Sequence, residues 1–76
     1  MSHRPFRGKD NDVPTSWLGR RVYIGNYRNE GMYLGIGVVT EVMPTEQPPQ
    51  YRICLNDSLP TGEQLVVCTR QEFYLA

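Results

Sequence analysis

The sequence predicts a single small all-β domain: five short strands curled into a barrel, with a 3-10 turn ahead of the last strand. Three observations predict it. In several runs between residues 20 and 76 the apolar residues fall at every second position, the period of a half-buried strand. Clusters of Gly, Pro, Asn and Asp, the residues that tight turns require, separate those runs. No stretch places its apolar residues at the three-to-four spacing of an amphipathic helix.

The elements follow in order. Residues 1–16 carry no strand or helix period and are dense in polar residues, Pro and Gly, which predicts a flexible basic arm. The barrel domain is expected over residues 17–76. Its first strand is Arg20–Gly25, with Val22 and Ile24 on one face and Arg21 and Tyr23 on the other. Residues 26–35 form a long loop in which Asn and Gly supply positive φ and two tyrosines supply surface.

The strongest strand is Ile36–Met43. Ile36, Val38, Thr40 and Val42 share one side, and Gly37, Val39, Glu41 and Met43 the other. Gly37 within it predicts a bulge or a close backbone approach. Pro44 ends it, because proline donates no ladder hydrogen bond. Tyr51–Leu55 alternates next, with Tyr51, Ile53 and Leu55 directed inward, and a polar loop leads to a fourth strand over Gln64–Thr69. Thr69-Arg70-Gln71-Glu72 fits a capping box, here sized for one 3-10 turn. Phe73, Tyr74 and Leu75 then supply a brief closing strand.

Length and composition exclude several function classes. Seventy-six residues make one domain, and a chain this short buries only about 60% of the surface it exposes when unfolded. Five Tyr, two Phe and Trp17 compensate with large apolar faces. The formal net charge is zero but unevenly spread: residues 1–21 carry five basic against two acidic side chains, residues 22–76 three against six. A neutral total lacks the basic footprint of a dedicated duplex-DNA binder. No segment approaches the roughly 20 apolar residues of a membrane span, and the leader has no apolar run, so the expected compartment is the cytoplasm.

The chemistry-bearing residues are few. Cys54 and Cys68 lack the close spacing of a zinc or redox motif, which favours two free thiols. With a symmetric connection the pair would nearly face each other across a hairpin, where a disulfide is geometrically conceivable. His3 is the only histidine and lies in the arm, where it cannot be held against a nucleophile. Two thiols and a mobile imidazole make no tetrahedral metal set. The expectation is a non-enzyme with no catalytic residues, no metal and no cofactor.

The layout of strands, long first loop, hairpin and 3-10 turn resembles the SH3-like small β-barrels. Within it Gly19, Val22, Ile24, Gly31, Gly35 or Gly37, Val38 and Val42 resemble the opening of a KOW-type unit over residues 19–43. Such units commonly meet RNA through a basic loop, whereas the loop here reads Arg28-Asn29-Glu30-Gly31-Met32-Tyr33. Plasmid-encoded dihydrofolate reductases are SH3-like chains of similar length that work as tetramers around a central pore. Their Val-Gln-Ile-Tyr stretch is replaced by Val66-Val67-Cys68-Thr69, so that activity is not carried over.

What remains is recognition. Trp17, Tyr23, Tyr27, Tyr33 and Tyr51, with Arg28, are candidates for an exposed aromatic platform, set against the simpler role of wrapping a small core. Tyr27 and Tyr33 stand out because loops carry function more often than strands. Arg52, Cys54 and Arg70 are expected on a flat face able to support homo-oligomerisation or strand addition. The leading expectation is a binding module for a protein partner, using loop 26–35 and Trp17, Tyr23, Tyr27, Arg28, Tyr33 and Arg52. A nucleic-acid-binding accessory that uses the basic arm is the alternative, and a pore-forming oligomeric enzyme the third.

Overall fold

The computed structural model describes residues 13–76. Residues 1–12, most of the expected arm and His3 with them, lie outside the described residues. The chain enters through a 3-10 turn, Pro14–Trp17, at the end of the stretch the sequence assigns to the arm. Proline opens this turn, where its missing amide costs nothing, and Ser16 Oγ donates to the Val13 carbonyl at 2.6 Å.

Five antiparallel strands follow: β1 (Arg21–Ile24), β2 (Gly35–Met43), β3 (Gln50–Leu55), β4 (Leu65–Thr69) and β5 (Phe73–Leu75). They form one sheet in the order β4-β3-β2-β1-β5. A second 3-10 turn, Arg70–Glu72, precedes β5, as the capping box predicts. The all-β, five-stranded architecture read from the sequence is the observed one. Among the described residues no helix is long and apolar enough to cross a membrane.

Strand alternation sets the core. Val22 and Ile24 of β1, and Tyr51, Ile53 and Leu55 of β3, are buried, as are Val66 and Cys68 of β4. Phe73 sits at the centre of an aromatic trio. Its ring meets Trp17 edge-on at 5.3 Å and Tyr51 at 5.0 Å. Edge-to-face pairs of this kind add about 0.5–1.5 kcal/mol each beyond the area they bury. The first turn thus contributes a core residue rather than a linker.

β2 departs from strict alternation. Val39 pairs with Ile53 but Glu41 pairs with Arg52, so Thr40 is an inserted residue, and its hydroxyl donates to the Arg52 carbonyl. The bulge reverses the parity of the strand. Val39 points inward before it and Val42 packs on the core after it, while Glu41 is turned outward. There Glu41 Oε1 meets Arg52 Nη1 at 3.0 Å. Had the ladder run on unbroken through Thr40, Glu41 would instead stand opposite Tyr51 and be driven into the core. Gly37 is a close approach instead of a bulge, since a Cβ there would meet the β3 backbone.

Candidate functional site

The strand register that buries Val22 and Ile24 turns Tyr23 to the opposite face. On that face Tyr23 is paired with Ile36 of β2 and Tyr74 of β5. The Tyr23 and Tyr74 rings lie 5.2 Å apart at 36°, and Tyr33, from the loop before β2, reaches the Tyr23 ring at 6.3 Å. All three tyrosines are exposed, Tyr33 most of all at 64%, and Ile36 is exposed beside them. Gly25 contributes the bare backbone of the patch: a Cβ there would stand 3.3 Å from both the Tyr23 and the Tyr74 ring. Together these side chains make one exposed apolar cluster on this face.

The flanking loop is built, not loose. Asn26 Oδ1 accepts the Gly31 amide at 2.7 Å, and the Asn29 amide donates to the Asn26 carbonyl at 2.9 Å. Tyr27 and Met32 form an isolated bridge across the loop's neck. Tyr27 is half-buried and packs against the core, and the Arg28 guanidinium lies 5.3 Å from its ring centroid. Arg28 and Asn29 both have positive φ, 60° and 57°.

The six residues singled out in the sequence therefore separate. Tyr23 and Tyr33 meet in the patch. Tyr27 and Arg28 stack on each other in the adjoining loop. Trp17 does not belong to the surface: it is 4% exposed, packed on Phe73, with the Arg70 guanidinium 4.2 Å from its ring. Of the two roles the sequence left open for it, Trp17 takes the simpler one of packing the core. Arg52 is on the outer sheet face, tied to Glu41 in an exposed pair worth about 0–1 kcal/mol. Arg70 leaves that face to cover Trp17 and to donate to the Phe73 carbonyl at 2.6 Å. Tyr51, the remaining platform candidate, is buried.

Tyr74 was missed by sequence reasoning, which treated it only as part of the closing strand. Half of the signal was present: with Phe73 inward, Tyr74 must point outward, but its place beside Tyr23 comes from the pairing of β5 with β1.

The cysteines do not face each other. Cys54 is opposite Leu65 and Cys68 opposite Tyr51, on different faces of the hairpin, and both thiols are free. The connection is not symmetric about the cysteine pair, which shifts the register by three residues. Burial pushes the Cys68 thiol up to about 12, helped by the negative charge of Glu72. It is inert as a nucleophile at neutral pH. Cys54 lies in an open depression of about 480 Å³ lined by Glu63, Gln64 and Leu65. Among the described residues no group of three His, Cys, Asp or Glu side chains is placed to hold a metal ion.

No family model, curated protein or solved structure matches the chain.

Proposed function

We propose that this chain is a small non-catalytic binding module of SH3-like type that docks a protein partner in the cytoplasm through Tyr23, Tyr33 and Tyr74. The strand order and the 3-10 turn before β5 support the SH3-like reading. The exposed tyrosine cluster over Gly25 carries the functional one. Tyrosine offers a large, stiff contact face with a polar tip, which is why it is enriched where proteins meet. A core role does not account for Tyr33 and Tyr74 both gathering on the Tyr23 ring while all three remain open to solvent.

The partner's face is apolar with hydrogen-bond acceptors for the phenolic hydroxyls. The full chain carries eight basic against eight acidic side chains, a balance that favours a protein partner over a nucleic-acid backbone. The test is affinity capture from native lysate with the full chain, with and without nuclease, beside the Tyr33→Ala and Tyr74→Ala variants. Capture that survives nuclease and is lost in both variants supports the reading. Capture abolished by nuclease, or unchanged in the variants, rejects it.

A further inference from the structure

Glu72 is the one buried charged residue among the described residues. As the third residue of the capping box it needs only one carboxylate oxygen for that task. Oε1 accepts the Thr69 amide at 2.6 Å and the Thr69 hydroxyl at 2.9 Å. The other oxygen is used 44 residues away, where Oε2 accepts the Arg28 amide at 2.7 Å. The Glu72 main-chain carbonyl, in turn, accepts the Gly25 and Asn26 amides, both at 3.2 Å. Three amides of the segment 25–28 therefore end on one residue of the second 3-10 turn.

The segment they hold is strained. Arg28 has φ of 60°, in the left-handed region that side chains other than Gly, Asn and Asp seldom enter. Such a conformation persists only where the surroundings over-determine it, and it concentrates at sites where geometry matters. A buried carboxylate aimed at the strained residue's own amide is that determinant. A charge-assisted bond of this kind is shorter and stronger than its neutral counterpart.

From this geometry we infer that Glu72 is a positioning residue for the docking surface. It clasps the loop 26–32 to the second 3-10 turn, so that Arg28, stacked on Tyr27, and Tyr33 are presented in fixed places before a partner arrives. This inference rests on the docking role of the tyrosine patch. Its physical content is pre-organisation: a loop already ordered does not pay the ordering cost on binding. The same turn carries Tyr74 into β5, so the clasp ties both flanks of the patch to one support.

Amide hydrogen exchange on the full chain tests the clasp without any ligand. In Glu72→Gln the side chain keeps one carbonyl oxygen for Thr69 and turns an amide group, itself a donor, toward Arg28. The Arg28 amide is expected to exchange about tenfold faster or more, while Val22 and Ile53 in the sheet keep their protection. Equal exchange at Arg28 in wild type and Glu72→Gln overturns the inference.

Should Glu72→Gln unfold, the wild type decides. A scalar coupling across the hydrogen bond between the Arg28 amide nitrogen and the Glu72 carboxylate carbon is expected, and its absence overturns the clasp. Partner capture separates the two readings. Capture weakened in Glu72→Gln supports the positioning role. Unchanged capture with a freed Arg28 amide rejects positioning but leaves docking intact. Capture indifferent to Tyr33→Ala and Tyr74→Ala rejects docking, and the positioning role with it, while the exchange result still reports on the bond itself.

Discussion

Gly37 packs so closely on Cys54 that a Cβ at position 37 would stand 2.5 Å from the Cys54 carbonyl oxygen. The same atom would lie 2.9 Å from Ile53 Cγ2. The side chain of Ile53 can rotate, but the β3 backbone cannot retreat without breaking its ladder to β4. Gly37→Ala is expected to destabilise the domain by about 1–3 kcal/mol, toward the upper end. A domain of this size has only some ~4–11 kcal/mol in total. Urea denaturation should show a lower midpoint with an unchanged slope. A midpoint equal to wild type would mean that β2 and β3 are farther apart than described.

The neighbouring residues show where sequence reading stops. Strict alternation in β1 and β3 was legible because each strand has one cleanly apolar face: Val22 and Ile24, then Tyr51, Ile53 and Leu55. In β2 neither parity is clean, since one contains Thr40 and the other Gly37 and Glu41. The chain resolves this by inserting Thr40, a register event that depends on the partner strand and leaves no local mark. The same holds for the site. Tyr33 could be placed on the surface from its loop, but its meeting with Tyr23 and Tyr74 depends on the pairing of β5 with β1. The two free thiols were legible from their spacing, but the three-residue offset between Cys54 and Cys68 was not, because hairpin register is fixed by loop geometry and not by composition.

Trp17 provides a second stability test. It is the only tryptophan, it is buried, and its ring is packed between Phe73 and the Arg70 guanidinium. Trp17→Ala is expected to cost about 3–5 kcal/mol, enough to leave the domain marginal, with Trp17→Phe costing less. In wild type, tryptophan emission should shift to longer wavelength in step with the loss of far-ultraviolet β signal. An emission maximum already typical of exposed indole in the native protein would contradict the burial of the first turn.

Cys68 makes stability depend on pH in the alkaline range. Its folded pKa is raised from 9.0 to about 12, first by burial and then by the charge of Glu72. The folded state therefore holds this proton more tightly than the unfolded state does. The associated stability is fully present below pH 9 and is lost as pH rises from about 9 toward 12. At about 1.4 kcal/mol per unit, the loss between pH 9 and 10.5 is on the order of 2 kcal/mol. Cys68→Ala has no thiol proton to lose, so the stability gap between wild type and variant should narrow over that interval. Thiol labelling at pH 8 offers a direct check: one equivalent, at half-buried Cys54, in the native protein and two after unfolding.

Gly25 offers the sharpest probe of the patch, because it can be altered without touching a tyrosine. Its φ is not in the left-handed region, so alanine meets no backbone strain there. The added methyl would press on the Tyr23 and Tyr74 rings at 3.3 Å each, tight but against side chains that have solvent on their far side. The rings should give by a few tenths of an ångström, and stability should fall by less than about 1 kcal/mol. The geometry of the cluster, by contrast, must change, since the two rings can relieve the contact only by moving off their present tilt. Gly25→Ala is therefore expected to keep its thermal midpoint close to wild type, to shift the ring resonances of Tyr23 and Tyr74, and to lose partner capture several-fold. Normal capture with displaced rings would show that the partner does not read the tyrosine faces, and would move the docking surface elsewhere on the sheet.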